Sequence, residues 1–257
     1  MIVFIIPLKS QKVSKSWQHV GQLLERCIKS ILSQDNFNSH VVVVYHEKPD
    51  IQFFSPNIHY IQVDFPIPGL DIHKKREDKS KKIIVGLKYA STLNPDHVMI
   101  ADGDDCLNQK ITSFVNNNPN SNGWFINKGY VYQEGSPFIY YRHSNFHHWC
   151  GTCNILKTHL WPLPEQDEDY PQKLIEYYSG SNHKNIEVVM RNQGTEIIPL
   201  PMLGAVYIIG NSENIFQEGF ATIYKANRNK PLFMLNELRK FRILTTSIRR
   251  EFGLTVV

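Results

Sequence analysis

Apolar runs rich in β-branched residues alternate with helically spaced apolar residues through the first hundred positions, and this alternation constrains the fold more than any other feature. "IVFIIPL" (2–8) and "HVVVVYHE" (40–47) are too continuously apolar for a sheet with one wet face, so each reads as a strand buried on both sides. Between them, "WQHVGQLLERCIKSILSQ" (17–34) places Val20, Leu23, Leu24, Cys27, Ile28, Ile31 and Leu32 at helical spacing. "NIHYIQVDF" (57–65) predicts a third strand and "DHVMIAD" (96–102) a fourth. "DKSKKIIVGLKYASTLN" (78–94) predicts a helix with Asp78 as N-cap and with Gly86 and Ala90 allowing close approach to a neighbour. Such alternation implies a parallel sheet covered by helices, and ligands of such sheets bind beyond the carboxyl ends of the strands.

The second half is less regular. "NNNPNSNG" (116–123) is a turn-rich connector, "GWFINKGYVYQ" and "PFIYYRH" read as antiparallel strands, and "IIPLPMLGAVYIIG" (197–210) supplies further strand material. From Pro231 onward the pattern is helical and amphipathic. Met234, Leu238, Phe241, Ile248 and Phe252 form a stripe, with Arg239, Lys240, Arg242, Arg249 and Arg250 mostly off it.

Several function classes fall away. The longest apolar runs, "MIVFII" and "VVVVY", are too short to span a bilayer, and the N-terminus lacks the basic start of a secretory signal, so a cytoplasmic protein is expected. Four cysteines do not make a disulfide scaffold at this length. The net charge of +4 is modest but uneven, with basic clusters at 73–82 and 225–250 that suit phosphate, anionic lipid or nucleic acid, among which charge alone does not choose. No aromatic residue interleaves the run at 73–82, so nucleic acid is not an expected partner.

"MIADGDDCLN" (99–108) crowds Asp102, Asp104 and Asp105 behind the fourth strand. Like charges this close repel, and they suit a hard divalent cation such as Mn²⁺ or Mg²⁺ that holds phosphate oxygens at the same time. An EF-hand loop does not fit, because Leu107 and Ser113 stand where it needs glycine and glutamate. An aspartyl phosphotransferase carries its Asp-x-Asp after the first strand, not after a hundred residues of alternating structure.

The arrangement resembles the GT-A glycosyltransferases, particularly glycosyltransferase family 2. "FIIPLKS" is similar to that family's first strand and turn, "DKSKKIIVGLKYA" to its basic helix, and "MIADGDDCL" to its Asp-x-Asp motif. The resemblance implies one continuous GT-A domain. Residues 1–110 would form the nucleotide-sugar-binding half, with a Rossmann-like, mostly parallel sheet flanked by helices. Residues 111–257 would form the acceptor-side half, containing a smaller antiparallel portion and ending in the amphipathic helix. It further implies a nucleoside-diphosphate sugar as donor, expected to be a UDP-sugar, and a metal held by Asp102, Asp104 and Asp105. Pro7, Leu8, Lys9, His46 and Glu47 would line the nucleotide pocket. Lys79 and Lys82, one helical turn apart, would reach the diphosphate, and Gly151 and Thr152 would approach the sugar. Where the family has an aspartate after the second strand this chain has "YHEKPD", with Glu47 or Asp50 as its substitute.

An inverting transferase also needs a general base. "PEQDEDYPQK" offers Asp167, Glu168 and Asp169, with Glu168-Asp169 resembling the family's Glu-Asp pair, and "SGSNHKN" offers His183. "HHWCGTCN" (147–154) raises two further readings: a thioredoxin-like thiol site at Cys150 and Cys153, or zinc held with His147 and His148. The sequence therefore predicts a metal-dependent hexosyltransferase acting on a carbohydrate or lipid-linked acceptor in polysaccharide or glycolipid synthesis. Peripheral membrane contact would run through the basic C-terminal helix. Nucleotidyl transfer, or a binding module without turnover, are the alternatives.

Overall fold

The structure is a computed structural model that describes residues 1–33, 38–165, 170–179, 182–214, 219–220 and 231–257, with backbone alone at 231–234. It is a mixed α/β fold whose main sheet has seven strands. β1 (Ile2–Pro7), β2 (Ser39–Tyr45), β3 (Ile58–Gln62) and β4 (His97–Ile100) run parallel, β2 and β4 flanking β1 in register. Beyond β4 lie β9 (Asn154–Lys157), the one antiparallel member of this sheet, then β6 (Gly123–Phe125) and β10 (Ile198–Pro199). Strand order turns back at β1, so the crevice beyond β1 and β4 is the topological switch point where ligands of such sheets bind.

The two faces of β1 are covered by different helices. α1 (Trp17–Leu32) starts at Ser16, whose hydroxyl accepts from the His19 amide at 3.3 Å. It packs Val20, Leu24, Cys27, Ile28 and Ile31 onto Phe4, Ile6, Val41 and Val43. α2 (Ile72–Thr92) lays Ile83, Leu87 and Ala90 on Val3, Ile5, Val42 and Val44. At Gly86 a Cβ would fall 2.4 Å from a methyl of Ile5, so helix and sheet approach as closely as the sequence implies.

α2 starts earlier than the sequence predicts. Its N-cap is Asp71, which accepts from the Lys74 amide at 2.9 Å, and Asp78 lies a full two turns inside. The basic run at 73–82 is thus helix rather than a loop leading into one. Its unbroken charge hides the apolar period, which shows only from Ile83 onward.

The second sheet contains β12 (Phe241–Ile243), β8 (Phe138–Arg142), β7 (Gly129–Gln133), β11 (Ala205–Ile209) and β5 (Cys106–Leu107), in that order. Its pairs are antiparallel except β7 with β11. "GWFINKGYVYQ", which reads as one stretch of strand, is divided between the two sheets as β6 and β7. The amphipathic C-terminal helix is also corrected: the tail forms a helix (Pro231–Leu238), then β12, then a second short helix (Thr246–Glu251). β12 takes Phe241 into a ladder with Tyr140, which breaks the single apolar stripe.

Candidate active site

The site is assembled at the carboxyl end of β4. Asp102 directly extends the strand, and its amide donates to the Thr152 hydroxyl at 2.8 Å. The same hydroxyl donates to Asp105 at 2.6 Å, so one threonine ties both ends of the acidic turn. Lys79, on α2, donates to Asp102 Oδ1, and both side chains remain about one third exposed. Burial pulls the Lys79 ammonium toward the neutral form, but the carboxylates of Asp102, Asp104 and Asp105 outweigh it and hold its pKa above the ordinary lysine value. Gly151 lies against this pair: a Cβ there would stand 2.8 Å from Asp102 Oδ2 and 3.7 Å from Lys79 Nζ. A side chain at 151 would force the Asp102 carboxylate to shift.

The three aspartates do not converge on one point. Asp105 turns inward, where it is 1% exposed and accepts from Thr152, from the Cys150 thiol at 3.2 Å and from the Ile208 amide at 3.1 Å. Burial first, then repulsion from Asp104 and Asp102, push its pKa well above the usual carboxylate range. Its expected role as a metal ligand is therefore corrected: its oxygens are spent on β11 and on the 150–152 turn. Asp104 faces the other way. Its Oδ2 accepts from Asn211 at 2.8 Å and Asn214 at 3.1 Å, while burial and Asp102 raise its pKa.

Asp102 and Asp104 thus form the exposed donor set. Among the described residues, no group of three or more His, Cys, Asp or Glu is placed to hold a metal ion by itself. Mg²⁺ and similar hard cations need less when substrate phosphates complete the shell, since one or two carboxylates suffice. Asp102 and Asp104, both partly exposed, are the residues here that could contribute to such a shell.

The remaining expectations divide. Lys82 is corrected: it is fully buried, with Nζ donating to Asp78 and to the Leu8 carbonyl, each at 2.7 Å. Burial lowers its pKa, with Asp78 opposing. His46 meets the other oxygen of Asp78 at 2.6 Å, so this buried trio pins α2 to the end of β1. Pro7 ends β1, and Leu8 is buried with its amide on the Val44 carbonyl. Lys9 pairs with Glu213 at 2.6 Å, and Glu47 accepts from the Ser10 hydroxyl and the Gln11 amide, both at 3.0 Å. His183 sits half-buried in a 3₁₀ turn (Asn182–Asn185), its carbonyl accepting from Asn154 at 2.9 Å. Asp167, Glu168 and Asp169 lie outside the described residues. Cys150 and Cys153 are buried with pKa values pushed well up by burial, the reverse of the depressed thiol that the redox reading requires.

The sequence reading passed over Asn211, Glu213 and Asn214, which follow β11. Pairing explains their position: Ala205 opposes Leu107 and Val206 opposes Cys106, which carries the end of β11 past the acidic turn. The Asn211 side chain accepts from the amides of Glu213 and Asn214 at 3.0 and 3.1 Å, closing a turn that has Gly210 and Ser212 at positive φ. Glu213 then caps the loop after β1, taking Lys9, the Lys15 amide at 3.0 Å and the Ser16 amide at 2.7 Å. The signal was present: "AVYIIGNSEN" ends an apolar strand in a polar turn just as "HVMIADGDD" does.

No family model and no curated protein matches the sequence. Among solved structures the chain is similar to S. aureus TarS 1–349, at 15% identity, 80% of this chain and 60% of that one, with a TM-score of 0.42. The complex of that protein with UDP-GlcNAc gives 13%, 80%, 58% and 0.40. Francisella tularensis 2-C-methyl-D-erythritol 4-phosphate cytidylyltransferase gives 10% identity over 88% of this chain and 98% of that one, with a TM-score of 0.45. The chain covers less than two thirds of the TarS chains.

Proposed function

We propose that the protein is a metal-dependent glycosyltransferase that moves a sugar from a nucleoside diphosphate, with UDP as the expected carrier, to an acceptor hydroxyl. The observation that carries this reading is the placement of Asp102 and Asp104, partly exposed and beside Lys79, at the switch point between β1 and β4. A divalent cation there would be held by Asp102 and Asp104 and would neutralise charge on the departing diphosphate. Lys79 adds a second positive charge on the same side, and Gly151 keeps the backbone low enough for a sugar to approach Asp102. His183 is the described candidate for the general base. A carbohydrate or lipid-linked acceptor, and a role in polysaccharide or glycolipid synthesis, belong to the same proposal.

One observation favours glycosyl over nucleotidyl transfer. Backbone amides cradle phosphates only where they are free of protein acceptors. Here the Gln11, Lys15 and Ser16 amides already donate to Glu47 and Glu213.

The test is a thermal-shift panel on metal-stripped protein with UDP, GDP, CDP and CTP, each with and without Mn²⁺, repeated in Asp104→Ala. A ligand that binds only the folded state raises Tm. The expected result is a diphosphate-induced rise that needs Mn²⁺ and disappears in the variant. A rise with CTP alone, followed by pyrophosphate release, would move the reading to nucleotidyl transfer, and no rise with any nucleotide would end the donor-site reading.

A further inference from the structure

The tail carries a surface that the nucleotide site does not use. Leu235, Leu238 and Ile243 are 50%, 56% and 70% exposed within nine residues of sequence. Ile243 is paired in register with Phe138, itself 49% exposed, so two large apolar side chains stand together on the edge of the second sheet. β12 is that sheet's edge strand. Beside it runs a cleft with largely apolar walls, lined by Tyr130, Tyr141, Leu203, Arg242, Ile243 and Ile248.

The charge on this surface is mostly positive. Arg239, Arg242 and Arg250 are exposed, and Lys240 and Arg249 are partly exposed. Of the two carboxylates at this end of the chain, Glu237 is buried against Tyr140 and Lys240, while Glu251 accepts from the neutral Asn108 amide at 2.8 Å and keeps its charge. Among the described residues, none of Arg239, Arg242, Arg249 and Arg250 forms an ion pair. Arg242 donates only to the carbonyls of Arg239 and Phe241, so its positive charge is not neutralised.

We propose that the surface formed by residues 235–250 together with Phe138 docks on the headgroup region of an anionic lipid bilayer. Exposed apolar side chains on a segment rich in arginine match such an interface: the apolar groups enter the acyl boundary while the cations stay at the phosphates. The two short helices and the strand between them achieve what the sequence assigned to a single amphipathic helix. No helix among the described residues is long and apolar enough to cross the membrane, so the contact is peripheral. The proposal is independent of the nucleotide reading.

Flotation of the full chain with vesicles tests it, comparing phosphatidylcholine alone with phosphatidylcholine mixed with phosphatidylglycerol. The wild type should float with the mixed vesicles only, and added salt should release it. Arg239→Glu with Arg242→Glu should weaken binding by at least about tenfold. Ile243→Ser, at a position too exposed to unfold the chain, should weaken it about fivefold at unchanged Tm. Equal binding to neutral vesicles, no flotation at low salt, or variants that float like the wild type would each overturn the proposal. So would light scattering that shows a dimer dissolved by these substitutions in a protein that does not float, because the surface would then belong to a second copy.

Discussion

The turn after β4 carries three carboxylates, and the turn after β11 carries two amides and one carboxylate; the two meet where Asn211 and Asn214 hold Asp104. Both are built on one plan. Each commits one carboxylate to a protein socket, Asp105 to the 150–152 turn and β11, Glu213 to the loop between β1 and α1. The first turn leaves Asp102 and Asp104 partly exposed, while the second spends Asn211 and Asn214 on holding Asp104. The difference lies in what the sockets do to charge. Asp105 sits among thiol, hydroxyl and amide donors with two carboxylates nearby, and its pKa rises. Glu213 is also penalised by burial, but Lys9 and two backbone amides more than offset this, and its pKa falls. Proximity of acidic residues along the chain therefore does not by itself make a shared ligand set.

The largest effect that separates the two turns is expected at Asp105→Ala. Removing the inward carboxylate leaves the Ile208 amide, the Thr152 hydroxyl and the Cys150 thiol facing an apolar hole, at a cost of about 3–5 kcal/mol in urea unfolding. A loss below about 1 kcal/mol would show that Asp105 is not the fastener of its turn.

Next in size is Glu213→Gln, expected to cost about 2 kcal/mol at neutral pH. The sign of its pH dependence follows from the lowered pKa. A depressed folded-state value contributes stability above the unfolded pKa, and that contribution is lost as pH falls through the folded value. Wild type and variant should thus differ most near neutrality and converge below the ordinary glutamate value of 4.5. A gap that persists unchanged in acid would remove the Lys9–Glu213 pair as its cause.

The smallest effect on stability is expected at Asn214→Ala, below about 1 kcal/mol, because Asn211 still holds Asp104. Its effect should appear in the Mn²⁺ dependence of the nucleotide-induced Tm rise, with several-fold more metal required. A metal requirement identical to the wild type would show that the second turn closes the fold without orienting Asp104.

Lys79 and Lys82 mark the limit of what the helical spacing conveys. One turn apart, they read as equivalent; in the structure Lys79 looks onto Asp102 while Lys82 is sealed beneath α2 against Asp78 and Leu8. Three positions fall short of a full turn by about 60° and rise about 4.5 Å, enough here to move a side chain from crevice to core. The same run concealed the start of α2, because a capped helix of charged residues gives no apolar period to detect.

What the sequence determined by itself is the four parallel strands β1 to β4, the two helices that cover them and the delivery of aspartates to the end of β4. Buried parallel strands must be continuously apolar, and helices packed on them must show a stripe, so local composition records these elements directly. Only the tertiary structure decided which aspartate faces the crevice and that a second polar turn clasps Asp104. It also decided that the tail is helix, strand and helix. Those outcomes depend on β5 pairing with β11 and β8 with β12, contacts between residues about a hundred positions apart whose register no local pattern encodes.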